Sequence, residues 1–173
     1  MMKRVVLPLI TVLCFYGESI FVELLPIFSF LDNRIVVPRF LLVVLILMAI
    51  YYFRNVTLIY AAIFGLLFDI YYTGVIGAYL FLFPIAVYTA SKMVKVLQIN
   101  VLTSGLITII IVAITEALIY GLNILLFDVN VTVSQFIYSR LLPTLTLNFI
   151  FYLIIFFPFS RWLQNRSKEI FSE

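Results

Sequence analysis

Long apolar runs constrain this chain more than any other feature of its sequence. Residues 41–53, 107–114 and 149–157 contain no charged side chain. A helix of about 20 apolar residues crosses the hydrocarbon core of a membrane. No water is present there to bind unpaired backbone N–H and C=O groups, so each must be hydrogen-bonded within the protein. A transmembrane barrel would alternate polar and apolar residues, and these runs do not alternate. The runs therefore predict an all-α integral membrane protein.

Composition excludes other classes of protein. Of the 173 residues, 65% are hydrophobic and 11% are charged, whereas soluble domains contain about 45–50% apolar and about 25% charged residues. This composition excludes a soluble globular enzyme, and also a disordered chain, which requires low hydrophobicity and high charge. The chain has no histidine and one cysteine, Cys14, which excludes imidazole and thiolate metal sites, catalytic triads and a disulfide framework. We expect no cofactor.

Charged and turn-forming residues divide the chain into six apolar segments of about 20 residues each. The predicted helices cover residues 5–28, 36–53, 56–72, 75–90, 101–127 and 140–160. Together they form one transmembrane domain over residues 1–173, with no soluble domain. Several connections are only a few residues long, which predicts that consecutive helices are antiparallel neighbours in a compact bundle of six transmembrane helices.

Lysine and arginine are divided unequally between the two sides of this predicted bundle. The side that holds both termini has eight, which are Lys3, Arg4, Arg54, Lys92, Lys95, Arg161, Arg166 and Lys168. The other side has three, which are Arg34, Arg39 and Arg140. Because cytoplasmic loops of membrane proteins are enriched in lysine and arginine, we predict that both termini are cytoplasmic.

Polar side chains within the predicted spans are costly to bury, so each has a structural or functional role by default. The candidates are Glu18, Arg39, Asp69, Glu116, Arg140 and Asn148. Because pairing removes the cost of an isolated charge, we expect an ion pair between Glu18 or Asp69 and Arg39 or Arg140. The alternative for Asp69 and the two arginines is that they reach the lipid headgroups. For Glu116, near the middle of its helix, the alternative is a protonated carboxyl hydrogen-bonded to a neighbour.

Small residues recur at helical spacing on two of the predicted helices. Ala61, Gly65 and Asp69 share one face of the third helix, and Ala113, Ala117 and Gly121 share one face of the fifth. Small residues every fourth position allow two helix backbones to approach closely. Either another helix of this chain or a partner protein could pack on these faces.

The sequence contains no recognisable enzymatic motif. It has no glycine-rich phosphate-binding loop, no HExxH zinc motif and no aspartate-rich lipid-transferase motif. Glu18 and Glu23 are five residues apart, and therefore point in directions about 140° apart on a helix. Paired-carboxylate chemistry needs two acids that face one pocket. We expect a protein that is not an enzyme.

Several short motifs together resemble the MreD family of rod shape-determining membrane proteins. The resemblance covers nearly the whole chain. Its motifs are Gly65-Leu66-Leu67-Phe68-Asp69 followed by Gly74 and Gly77, Pro38-Arg39-Phe40, the early Glu18-Ser19, and Pro143 with Asn148.

The resemblance implies a non-enzymatic scaffold of the cell-wall elongation machinery in the bacterial cytoplasmic membrane. The implied direct partner is MreC. MreB, RodA and a class B penicillin-binding protein belong to the wider complex, and no nucleic acid is involved. The resemblance also implies a fold similar to the S components of energy-coupling-factor transporters.

That similarity of fold supplies the main alternative, a vitamin-binding subunit whose ligand lies near Glu18, Asp69 and Arg39. A membrane enzyme acting on lipid-linked substrates is the third hypothesis.

Overall fold

The computed structural model describes the backbone of residues 2–24, 34–127 and 131–172. In these ranges all regular structure is helical, as predicted, and six helices follow one another. They are α1 (Met2–Leu24), α2 (Phe40–Tyr51), α3 (Arg54–Phe68, continued by the π-helical turn Asp69–Thr73), α4 (Ala78–Met93), α5 (Val101–Phe127) and α6 (Val133–Gln135, the π-helical turn Phe136–Leu141, and Leu142–Ser172). Residues 25–28 of the first predicted helix lie outside the described residues.

Four of the helices, α1, α3, α5 and α6, are long and apolar enough to cross a membrane. Only 22–33% of the residues in their most apolar stretches are buried inside the protein, so lipid can cover their outer faces. The remaining two helices have 12 and 16 residues and are about 18 and 24 Å long. A hydrocarbon core is about 30 Å thick. By length, four of the six predicted helices can therefore span a membrane, and α2 and α4 are shorter apolar helices.

The short helix α2 lies at the centre of the bundle. It packs against each of the five other helices, and every residue from Leu41 to Ile50 is buried. A helix that is apolar on all sides is stable only when it is surrounded. The five other helices thus form a wall around α2.

The chain enters α2 through a non-helical segment, residues 34–39, where the sequence predicts a helix from residue 36. Pro38 explains this difference, because proline disfavours helical backbone at the preceding residue and lacks an N–H of its own. At the other end α2 stops at Tyr51, two residues before the predicted end. This segment turns the backbone N–H groups of Ile35, Val37 and Arg39 toward α6.

Close packing of α3 on α4 depends on Gly65. A Cβ atom at this position would lie 2.5 Å from the carbonyl oxygen of Tyr79 and 2.9 Å from the Cα atom of Leu80. The connection between the two helices contains Gly74 and Gly77, with φ angles of 66° and 117°. Only glycine adopts such angles readily. This hairpin therefore needs glycine at the crossing and in the turn.

Replacement of Gly65 by alanine is expected to lower the stability of the protein by about 1–3 kcal/mol, because the added methyl group meets backbone atoms of α4 that cannot rotate away. Gly121→Ala is the matched control. Its Cβ atom meets nothing within 4 Å, and alanine favours a helix over glycine by about 1 kcal/mol. Thermal unfolding in detergent measures both variants. Equal midpoints for the two variants would contradict the close approach of α3 and α4.

The last helix is longer than the predicted 140–160. It begins at Val133, because Thr132 and Gln135 form a capping box. The Thr132 hydroxyl accepts from the Gln135 N–H, and the Gln135 side chain accepts from the Thr132 N–H, both at 3.3 Å. This Thr-x-x-Gln pattern is a recognised signal for a helix start. At the other end the helix continues to Ser172.

Candidate functional site

Glu116, near the middle of α5, binds two arginines inside the bundle. Its Oε1 atom accepts from Arg39 Nε at 2.6 Å and its Oε2 atom accepts from Arg140 Nε at 3.0 Å. The Glu116 side chain is 0% exposed, and those of Arg39 and Arg140 are 4% and 26% exposed. The sequence predicts Glu18 or Asp69 in this role. The structure corrects that prediction, because both arginines pair with Glu116.

This charged cluster connects four helices. Arg39 immediately precedes α2, Arg140 lies in the π-helical turn of α6, and Glu116 belongs to α5. The Arg39 guanidinium also lies over the ring of Tyr79 in α4, 5.0 Å from the ring centre. Charge-assisted hydrogen bonds are the strong ones in a low-dielectric interior, and a cation over an aromatic ring adds attraction. The cluster therefore fixes the positions of these helices relative to one another.

Glu18 caps the N-terminus of α2. Its Oε1 atom accepts from the backbone N–H of Leu41 at 2.7 Å, and the residue is 4% exposed. The first N–H groups of a helix have no partner within the helix, and together they carry a partial positive charge. The Glu18 carboxylate thus acts as a cap supplied by α1.

Asp69 performs the same task for α4. Its two carboxylate oxygens accept from the backbone N–H groups of Gly77, Tyr79 and Leu80 at 2.8, 2.7 and 3.0 Å. Asp69 itself is 0% exposed. Its position in the π-helical turn at the end of α3 places the carboxylate directly at the start of α4. Three backbone donors are therefore satisfied by one buried side chain.

The non-helical segment 34–39 is hydrogen-bonded along α6. The N–H of Ile35 donates to the carbonyl of Ser139 at 2.7 Å, and the N–H of Val37 donates to the Thr144 hydroxyl at 3.1 Å. The N–H of Arg39 donates to Asn148 Oδ1 at 2.8 Å. Positions 35, 37 and 39 therefore all bind this helix through their backbone N–H groups.

Asn148 and Pro143 make α6 suitable for this contact. Asn148 Nδ2 donates to the carbonyls of Val37 and Thr144 at 3.1 and 2.7 Å, so both ends of the buried amide are used. Pro143 has no N–H to donate to the carbonyl four residues earlier, which is that of Ser139. That carbonyl is therefore free to accept from Ile35.

The two predicted stripes of small residues lie in different surroundings. Ala61 and Gly65 are buried, together with Asp69, where α3 meets α4. On α5, Ala117 is exposed, and a Cβ atom at Gly121 would meet nothing within 4 Å. Ala113 is half-buried. The α3 stripe therefore packs within the chain, whereas the outer part of the α5 stripe faces outward.

The cluster uses its polar groups for bonds within the protein. Among the described residues, no buried side-chain nitrogen or oxygen lacks a hydrogen-bond partner. No group of three or more histidine, cysteine, aspartate or glutamate side chains in that same part of the chain could hold a metal ion. The geometry supports rigid packing.

Sequence reasoning missed the part that three residues play at the site. Thr144 lies four residues before Asn148, and this spacing places both on one face of α6. Pro38 marked the late start of α2. Tyr79 carried no signal, because its contact with Arg39 depends on how α4 is placed against α2.

Comparison with known proteins gives a consistent result over nearly the full length of the chain. Residues 3–166 match the family of rod shape-determining protein MreD. The Rod shape-determining protein MreD of Bacillus subtilis (strain 168) is 36% identical over 172 residues, which cover 99% of this chain and 100% of the relative. No solved structure matches the chain.

Proposed function

The chain belongs to the MreD family of rod shape-determining proteins, and on that premise we propose that it is a non-enzymatic scaffold of the bacterial cell-wall elongation machinery. In this proposal it binds MreC directly in the cytoplasmic membrane and helps to organise peptidoglycan synthesis. MreB, RodA and a class B penicillin-binding protein are the further members of the assembly. Four helices that can cross a membrane support the location.

The observation that best supports the proposal is that the buried charged side chains bind other groups of the same protein. Glu116 is shared between Arg39 and Arg140, and Asp69 accepts from three backbone N–H groups. A catalytic acid or base needs a proton acceptor or donor within reach of a substrate. Here the same groups hold helices in position and are covered by protein. A rigid body that presents its outer helix faces to other membrane proteins fits this design.

The same contacts speak against the vitamin-binding alternative. In transporters, the N-termini of interrupted helices face anionic groups of the substrate. The two short helices of this chain also begin inside the bundle, but Glu18 and Asp69 of the chain itself occupy their N-termini. A ligand carboxylate would have to displace these side chains. The similarity of fold to S components remains a prediction from the family resemblance.

We propose that both termini are cytoplasmic. In the described part of the chain, the end of the bundle where α3 and α5 begin carries most of the exposed or partly exposed cations, which are Arg54, Lys92, Lys95, Arg161, Arg166 and Lys168. Enrichment of lysine and arginine on the cytoplasmic side supports this orientation. The charged cluster around Glu116 then lies toward the outer half of the membrane.

Co-purification with MreC tests the scaffold proposal. Association of helices within lipid depends on close packing and interhelical hydrogen bonds, so we expect tagged chain to retain co-expressed MreC in mild detergent and in lipid nanodiscs. The control is an MreC variant whose transmembrane helix is replaced by an unrelated one. The amount of this variant that is retained should be at least about tenfold lower than that of native MreC, which corresponds to a loss of about 1.4 kcal/mol of binding free energy. Clean separation of native MreC in both media would reject the proposal.

A further inference from the structure

A cleft of about 610 Å³ opens between the end of α2, the beginning of α5 and α6. Apolar side chains, among them Ile50, Phe156 and Phe157, share its lining with Arg161 and Gln164. The cleft is distant from the charged cluster around Glu116. It combines a hydrophobic surface with hydrogen-bond donors, and neither of these features is used by the contacts described above.

The depth of this cleft corresponds to the headgroup region of a membrane. Glu116 is the sixteenth of the 27 residues of α5, and Val101, which lines the cleft, is fifteen residues away. Fifteen helical residues span about 22 Å. Half of a hydrocarbon core is about 15 Å thick. With Glu116 slightly outward of the middle of the membrane, as in the proposed orientation, Arg161 and Gln164 lie at about the level of the lipid phosphates on the cytoplasmic side.

Arg161 is available to bind an anion. Within the described part of the chain it forms no ion pair, whereas Arg166 in the next turns of α6 pairs with Glu169 at 3.1 Å. The surrounding end of the bundle carries five further cations, which are Arg54, Lys92, Lys95, Arg166 and Lys168. Charge complementarity therefore favours a negatively charged occupant, and a guanidinium binds phosphate through several donors at once.

We propose that this cleft is a binding site for one anionic phospholipid, with the phosphate at Arg161 and Gln164 and an acyl chain against Phe156 and Phe157. A soluble phosphate would leave the apolar part of the lining exposed to water. A zwitterionic phospholipid would bring a cation into a region that is already positive. An anionic lipid such as phosphatidylglycerol satisfies both parts of the cleft.

Native mass spectrometry of the purified full-length chain tests the site. In a titration with phosphatidylglycerol or phosphatidylcholine, we expect the wild-type chain to retain one phosphatidylglycerol with at least about tenfold higher affinity, because only the choline headgroup brings a cation close to Arg161. Arg161→Gln should lose most of this preference and Arg161→Lys should keep much of it. Lys95→Gln is the matched control, because Lys95 is an exposed cation at the same end that does not line the cleft.

Two further measurements are needed. One distinguishes a bound lipid from a bound soluble phosphate, and the other tests the site with a second variant in case Arg161→Gln fails to fold. Inorganic phosphate at millimolar concentration should not displace the lipid, and displacement would overturn the proposed role of the acyl chain. Gln164→Glu places a like charge beside the phosphate and should weaken phosphatidylglycerol more than phosphatidylcholine, whose choline cation offsets the added charge. Equal retention of phosphatidylglycerol by the wild type, Arg161→Gln and Gln164→Glu would overturn the site.

Discussion

Replacement of Glu116 by glutamine is expected to cause the largest loss of folded protein of any single substitution in the bundle. The change removes the carboxylate that Arg39 and Arg140 share and leaves two cations in the interior without an acid between them. Breaking a buried ion pair by removing one partner costs about 3–5 kcal/mol. Net stabilities of whole proteins are about 5–15 kcal/mol, so a loss of this size depletes the folded state.

The yield of monodisperse protein after size-exclusion chromatography, together with the unfolding midpoint, measures this effect. Arg140→Gln should have a smaller effect, because the Arg140 side chain is 26% exposed and partly hydrated. Glu23→Gln is the control, since Glu23 is an exposed acid in α1. If Glu116→Gln and Glu23→Gln had the same yield and midpoint, Glu116 would not hold the bundle together.

Replacement of Asp69 by alanine is the second large effect that we expect. The substitution leaves the N–H groups of Gly77, Tyr79 and Leu80 without the carboxylate that accepts from them. A buried donor that loses its acceptor costs about 1–3 kcal/mol, so the total should reach about 3 kcal/mol or more. Asp69→Asn keeps one carbonyl oxygen and should fall between alanine and the wild type.

The amount of folded Asp69→Ala protein should therefore be lower than that of Glu23→Ala when both are produced under the same conditions. Glu23→Ala removes an acid of similar chemistry from an exposed position. Hydrogen exchange of the α4 backbone gives a second readout, because protection at its first turn should decrease in Asp69→Ala. Unchanged yield and unchanged protection would contradict the capping role of Asp69.

Much of the fold could be predicted because burial in lipid leaves so few choices. The boundaries of α5, residues 101–127, agree with those of the structure, since a long apolar run without proline has one stable form in a membrane. The start of α2 could not be placed from hydropathy, because residues 36–39 are mostly apolar whether or not they are helical. Pro38 makes this segment non-helical by a steric effect, and a hydropathy profile contains no steric information.

The sequence predicted which polar residues form the candidate site, but it did not predict which of them bind one another. Spacing along a helix gives the depth and the face of Glu18, Asp69 and Glu116 relative to their own helix. It does not give the rotation of that helix against its neighbours, and this rotation determines which acid meets Arg39. A capping role for Asp69 also requires the π-helical turn at residues 69–73, which no periodicity in the sequence indicates.

In the proposed function, the buried charges hold the helices in a rigid arrangement to which other proteins bind, and they take no part in catalysis. The double variant Glu116→Gln/Arg140→Gln tests this most directly, because it removes one acid and one base together, while the amide oxygen introduced at position 116 can still accept from Arg39 Nε. The measurement is rod shape in cells that depend on this variant, at a wild-type amount of folded protein. We expect rods. Round cells at that same amount of folded protein would show that the charges of Glu116 and Arg140 themselves are required, and would contradict the proposed function.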